Sequence, residues 1–437
     1  MGNTLRLCCL TVGLVAWGSS VCAESIADRL QELFRIADEH NTSISSQRTL
    51  TEKAEADVKA AKAQLLPDVG ASLSFSYLGN GQIWDRDFTN YVKAPIPHWG
   101  NSFSLEASQV VYSGGALTSA VRMAELGKSQ SQYSYDNSRK RVHIQIAALY
   151  LQQCKLSNRL EVVRKNIVLA DTLIARTQSR HEEGVVLRND VTRYELLREQ
   201  MVLQQTTILD RMKVVSRQLA TALGMDAVAA CGEVRLSEAR LLMEKPESYW
   251  QMLALTENTG LQQSVTAVDM SRQQERIVKA ASLPKVAVVA QDHLNGPITI
   301  DIPAIDKNFN YWFVGVGVSY DVSSLYKNKK KRVAASKATQ QAELEHQAVK
   351  ENVGDAVHEA YMALCTAQSE LRTREKSIEL ARQNYDVIVH RYDNGLALVT
   401  DMIDAANVRL DAELQHADAN IGVMLALYNL RYVCGDI

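Results

Sequence analysis

Apolar and polar positions along this chain switch between two periods. From residue 24 to 64 the sequence is rich in Ala, Glu, Lys and Gln and reads as helix, stopped by Pro67, which cannot continue one. Val69, Ala71, Leu73, Phe75 and Tyr77 then alternate with Gly70, Ser72, Ser74 and Ser76. This period of two predicts a strand with one apolar and one small polar face. A loop over 79–101 carries Trp84, Pro95, Pro97 and Trp99, after which Phe103, Leu105, Ala107 and Val111 predict a second strand closing at Tyr112 to Gly115.

The period then changes. Val142, Ile146, Leu149, Leu156, Leu160, Val163, Ile167, Ala170 and Ile174 keep a heptad register, broken only at Gln153, within a helix expected from about Ala116 to Glu183. At 1.5 Å per residue such a helix reaches roughly 100 Å and packs in coiled-coil style. Gly184 begins a break, and a shorter helix runs from Asp190 to Leu223, closed by Gly224.

Everything then recurs. A helix over 248–282 ends in Lys279 to Pro284, which repeats Lys62 to Pro67 at a distance of 217 residues. A weaker strand over 285–292, a loop over 293–310 and a strong strand with Trp312, Val314, Val316, Val318 and Tyr320 follow. A second long heptad helix covers about Lys327 to Asn394, broken in register at Arg374, and a last helix runs from about Thr400 to Val433. Gly184 and Gly395 lie 211 residues apart, as do Asp190 and Asp401, and Cys154 and Cys365. The chain is a duplicated unit. Its expected organisation is a signal peptide over 1–23, a first repeat over 24–224, an equatorial connector over 225–246 and a second repeat over 247–437.

Composition narrows what this duplication serves. The apolar run Leu7 to Gly18, with Val21 and Ala23 at the −3 and −1 positions, predicts export with cleavage before Glu24. Cys22 follows Val21 instead of a small residue, which argues against lipid attachment there. The expected exported chain keeps Cys154, Cys231, Cys365 and Cys434, and their pairing stays open between disulfides and buried thiols. A net charge of −2 gives no electrostatic case for nucleic acid. No later stretch has the roughly 20 apolar residues of a membrane helix, so any crossing uses strands.

The four strands approach the 9–11 residues that cross a bilayer when tilted. Four cannot close a barrel, and open edges in lipid leave backbone groups unpaired, so several chains must pool them. The small polar face suits a lumen and the apolar face suits lipid, with Trp99, Phe103, Tyr311 and Trp312 as an aromatic girdle. The competing reading is a soluble sheet on a helical protein. The fold class is α+β, mostly α: long helical hairpins plus four strands per chain.

On these residues the chain resembles the TolC family of outer-membrane efflux ducts. The resemblance covers nearly the whole exported part and is most specific at the two tips, Gly184 to Asp190 and Gly395 to Asp404, and at the Leu-Pro strand entries. It implies a homotrimer with a 12-stranded transmembrane β-barrel on an α-barrel, in the outer membrane of a Gram-negative bacterium with a large periplasmic part. It also implies a periplasmic adaptor and an inner-membrane pump as partners, and outer-membrane lipid around the barrel. By the same resemblance Asp401 and Asp404 line the entrance, Tyr392 links the hairpins near Asp190, and a gate arginine is missing, since Ala397 stands in its place; Arg188 is the candidate substitute. Asp401 and Asp404 share a helix face, so three chains stack two carboxylate rings that favour cations. Read locally, both are first-turn residues favoured by the helix dipole. The tips Gly184, Val185, Val186, Leu187 and Gly395, Leu396, Ala397, Leu398 are the expected adaptor-docking surface.

No catalytic constellation, metal-ligand spacing or phosphate loop is present, so neither enzyme activity nor a cofactor is expected. The run Lys329 to Arg332 reads either as a lipid-headgroup contact or as a solvated helix start. Two functions remain: an exit duct for efflux or type I secretion, passively conducting what a pump and adaptor deliver, or an exported trimeric coiled-coil spacer without transport.

Overall fold

The computed structural model describes residues 26–225, 245–300 and 304–437. The expected leader, and almost all of the connector expected at 225–246, lie outside them. The chain forms two compact units. Of the described residues, one unit holds 26–36, 146–225 and 369–425, and the other holds the remainder. Each unit therefore draws on both sequence repeats.

In the first repeat α1 (Ile26–His40) and α2 (Thr42–Ala63) precede β1 (Asp68–Tyr77), β2 (Gly81–Ile83), β3 (Val92–Ala94) and β4 (Trp99–Tyr112). Then come α3 (Ala116–Glu182) and α4 (Arg188–Leu223). The second repeat gives α5 (Glu247–Glu257), α6 (Thr259–Ala280), β5 (Lys285–Gly296), β6 (Phe309–Ser319), α7 (Ser324–Asp393) and α8 (Val399–Cys434).

The helix expected over 24–64 is two helices. Asn41 breaks it with an extended backbone, and its Oδ1 accepts the N–H groups of Ser43 and Ile44 at 2.8 and 3.1 Å. The helix expected over 248–282 breaks in the same way at Asn258, whose Oδ1 accepts the Leu261 N–H at 3.0 Å. Asn41 and Asn258 are 217 residues apart, so the caps belong to the repeat. Inside the loop expected over 79–101, β2 and β3 form a small hairpin. Strand β5 extends to Gly296, because its polar end, Asp292 to Asn295, is held by ladder pairing to β4 and β6 on both sides.

In the unit containing the helix turns, part of the heptad series buries fully, while Leu149, Ile167, Ile174, Leu371, Ile378 and Ile388 are half-buried, and Leu173, outside the expected register, joins the core. Leu156, Leu160, Val163, Ala170 and Leu173 of α3 form one core with Tyr194, Leu197, Met201, Ile208 and Val215 of α4. Tyr385 and Tyr392 of α7 and Met402, Ala405, Ala406, Leu410 and Leu414 of α8 complete it. The duplicated Cys154 and Cys365 differ: Cys154 is disulfide-bonded, while Cys365 and Cys434 are thiols outside any disulfide.

Candidate functional site: the sheet and the hairpin tips

The unit with the strands presents a four-stranded antiparallel sheet in the order β1-β4-β5-β6. The two repeats meet where β4 pairs with β5, and β1 and β6 are left as open edges. Residues opposite one another in a ladder share a face. Leu73 faces Phe103, Phe103 faces Leu294, Ala107 faces Ala290, and Ala290 faces Val314. Val316 and Val318 continue this face opposite Val288 and Val286. It is exposed and apolar, with Phe75 75% and Val316 68% accessible.

The opposite face carries Ser72 and Ser104, whose hydroxyls meet at 2.8 Å, then His293 and Tyr311, whose rings stack at 5.2 Å. Gly315 and Gly317 lie there too, but Gln291 and Phe313 make this face less uniformly small than expected. Trp99, Phe103 and Trp312 fall on the apolar face as expected for a girdle, whereas Tyr311, next in sequence to Trp312, points the other way. Asp292 also lies on the apolar face, where the Asn310 amide donates to it at 2.8 Å.

The other unit carries the two hairpin turns, and they are built alike. At each, a glycine takes a left-handed backbone, with φ 78° at Gly184 and 72° at Gly395, and nothing occupies the space a side chain would need. The Gly184 and Val185 N–H groups donate to the carbonyls of His181 and Arg180, each at 2.9 Å. Those of Gly395 and Leu396 donate to Tyr392 and Arg391 at 3.0 and 2.8 Å. Both are helix ends of the Schellman type.

Each following helix starts with a backward bond. The Leu187 N–H donates to the Asp190 carboxylate at 3.2 Å, and the Leu398 N–H to the Asp401 carboxylate at 2.9 Å. Leucine at the cap offers no acceptor, so only this half of a capping box exists. Val185, Leu187, Leu396 and Leu398 are exposed, but Val186 and Ala397 between them are half-buried, and Ala397 packs on the core. The expected run of three outward residues is thus an outward pair about one inward residue in each tip. The cause is the turn geometry, which alternates side-chain direction.

The expected gate residues divide in the structure. Asp404 is exposed and one turn beyond Asp401, with no side-chain partner among the described residues. Tyr392 does not bond Asp190. Its ring is buried, its hydroxyl has no hydrogen-bond partner among the described residues, and the Arg180 guanidinium lies 5.0 Å from the ring centroid. Arg188 turns to its own hairpin, donating to Gln178 at 3.0 Å and pairing with Glu195 at 3.5 Å.

Sequence reasoning missed Arg180 and Tyr194. Tyr194 is fully buried and its hydroxyl is also without a partner among the described residues; burial pushes its ionisation well above the usual tyrosine range. The spacing of Tyr194, Leu197 and Met201 on one helix face was the available signal. Arg180 is matched by Arg391, whose guanidinium donates to the Leu396 carbonyl at 3.3 Å.

A family model described as outer membrane efflux protein matches residues 33–225 and 250–436. The outer membrane efflux protein BepC of Brucella suis biovar 1 (strain 1330) is 20% identical over 429 residues, covering 98% of this chain and 88% of that protein. The fold resembles the crystal structure of the outer membrane protein VceC from Vibrio cholerae, with a TM-score of 0.76 at 14% identity over 93% of this chain and 96% of that one. A membrane protein from Pseudomonas aeruginosa gives a TM-score of 0.78 at 16% identity, covering 93% of this chain and 90% of that one. At these identities the solved structures establish a shared fold.

Proposed function

The chain belongs to the outer membrane efflux protein family, and on that premise we propose that it is the exit duct of a tripartite efflux or type I secretion system, assembled as a homotrimer. It resides in the outer membrane. The observation that carries the proposal is the four-stranded sheet, with two open edges and one exposed apolar face. In lipid such edges cost several kcal/mol per unsatisfied backbone group, so the sheet persists there only when β1 of one copy pairs with β6 of the next. Three copies give twelve strands.

The face with Ser72, Ser104 and His293 then lines water, and the Val316 face meets lipid. Conduction is passive, and selection of cargo belongs to an inner-membrane pump. The paired tips dock a periplasmic adaptor, and Asp404, with Asp401 a turn earlier, rings the entrance. A spacer without transport has no use for an apolar sheet face.

Conductance of the purified trimer in planar bilayers tests this reading. Ion-conducting steps are expected. A folded trimer that never conducts, even with Asp401 and Asp404 both changed to Ala, would remove the duct.

A further inference from the structure

Where β6 ends at Ser319, the chain passes through Tyr320, Val322, Leu325 and Tyr326, all exposed, and enters α7. Between Asp321 and Glu343 the sequence holds Lys327, Lys329, Lys330, Lys331, Arg332 and Lys337 and no acidic residue. Lys327 helps hold the Asp321 carboxyl below its ordinary range, after hydrogen bonds from Ser323 that do most of this. Lys329, Lys330, Lys331 and Arg332 are exposed, and among the described residues their side chains have no hydrogen bond or ion pair.

The fold does not ask for these charges. They stand in the second and third turns of α7, far from the C-terminal turn where the dipole would favour bases. The equivalent stretch 211 residues earlier, Ala116 to Val121, is uncharged, and cations nearby in the first repeat are satisfied. Lys62 and Arg122 share Glu125 at 3.1 Å each, and Lys128 pairs with Glu55 at 2.8 Å. The unneutralised run is peculiar to the second repeat.

Its surroundings identify a ligand. Arg332 lies about 12 Å along the helix from Ser324, so the cations start close to the end of a strand whose apolar face meets lipid. Consecutive residues turn by about 100° around a helix, so these four cannot converge on one small anion, but several can reach an extended anionic surface. The exposed Leu325 and Tyr326 beside them are the apolar and amphipathic groups that settle at a membrane boundary.

We propose that Lys327 to Arg332, with Leu325 and Tyr326, is a binding surface for the headgroups of several anionic glycerophospholipids at the periplasmic base of the sheet. Their phosphates draw the cations and their acyl chains lie along the apolar face. In a symmetric trimer the site recurs three times as a basic collar. It rests on the reading of the sheet as membrane-embedded.

Native mass spectrometry of the detergent-solubilised full chain tests it, with added phosphatidylglycerol, phosphatidylethanolamine or inorganic phosphate. Phosphatidylglycerol should be retained in preference to phosphatidylethanolamine, and less so as salt rises. The variant K329Q/K330Q/K331Q/R332Q should lose affinity for it roughly tenfold or more, since each basic residue near an anionic surface contributes about fivefold. The charge-preserving K329R/K330R/K331R should bind like the parent, which separates lost charge from lost fold.

Equal retention by the quadruple Gln variant, or equal retention of the two lipids, overturns the proposal. Competition by inorganic phosphate at matched concentration overturns it as well, by marking a free-anion site. A change in anion conductance without a change in lipid retention would place the run in the lumen and also overturn it. Planar-bilayer recordings keep the two readings apart: a conducting trimer without lipid preference removes the collar alone, and a non-conducting one removes the duct.

Discussion

The Asp401 carboxylate accepts the backbone N–H of Leu398 at 2.9 Å, as the Asp190 carboxylate accepts that of Leu187 at 3.2 Å. Asp401 is thereby a helix-starting residue first, and whatever charge it lends an entrance comes from a carboxylate already held in place. Asp404 has no such duty.

This division separates two effects of mutation. Asp404→Ala should weaken block of the channel by multivalent cations and leave thermal stability unchanged. Asp401→Ala should weaken block too, and should also destabilise by about 1 kcal/mol, the usual size of a lost cap. Single-channel recording with added trivalent cation, together with melting curves, reads both. Unchanged block in Asp404→Ala would place the charged ring elsewhere.

At the tips, exposure and burial alternate, and so should phenotypes. Leu187→Asp with Leu398→Asp should abolish capture of the adaptor in co-purification and leave the melting temperature alone. Val186→Asp should cost about 1–3 kcal/mol, because its carboxyl enters a half-buried position without a partner. If the exposed pair binds adaptor normally after substitution, the docking surface is not the tip.

Alkali should find the buried phenols. Burial raises the ionisation of Tyr194 and of Tyr385, the latter partly offset by Arg409, whose guanidinium stands 4.5 Å from its ring centroid. In the unfolded chain a phenol ionises near pH 10 (about 10 for model tyrosine). The stabilisation is therefore complete below that pH, and it falls as pH rises toward the native values, because only the unfolded state has lost the proton. Denaturant midpoints should decline above about pH 10, and Tyr194→Phe should flatten the decline. A slope indifferent to that substitution would count against Tyr194.

The cysteines should react in order of access. Cys434 is buried, its thiol faces the Trp250 carbonyl at 3.5 Å, and burial pushes its pKa up to about 12. Cys365 is only half-buried. Peptide mapping after a maleimide pulse at neutral pH should find Cys365 modified and Cys434 intact, and Cys154, buried and disulfide-bonded, labelled only after denaturation with reduction. Early labelling of Cys434 would contradict the packing at the C-terminal end of α8.

Periodicity alone was enough for the helix and strand succession, the duplication and the two glycine turns, because each depends on residues close in sequence. Helix α3 begins at the expected Ala116 and ends within a residue of the expected Glu183. The Asn41 and Asn258 breaks were legible too, as caps repeated 217 residues apart, but the surrounding helical composition masked them.

Other features depend on partners far away in the chain. Ser102 meets Asn295 at 2.6 Å across the β4–β5 pairing, and that register puts Asp292 on the apolar face and Tyr311 on the other. No local pattern contains such a register. Likewise Tyr392 lies under Arg180 of the other hairpin instead of meeting Asp190, because the core of four helices sets which side chains converge. By itself the sequence determined a duplicated chain of hairpins and strands with two like tips. Tertiary structure decided which faces those elements show, because long-range pairing and core packing lie outside the few residues over which periodicity speaks.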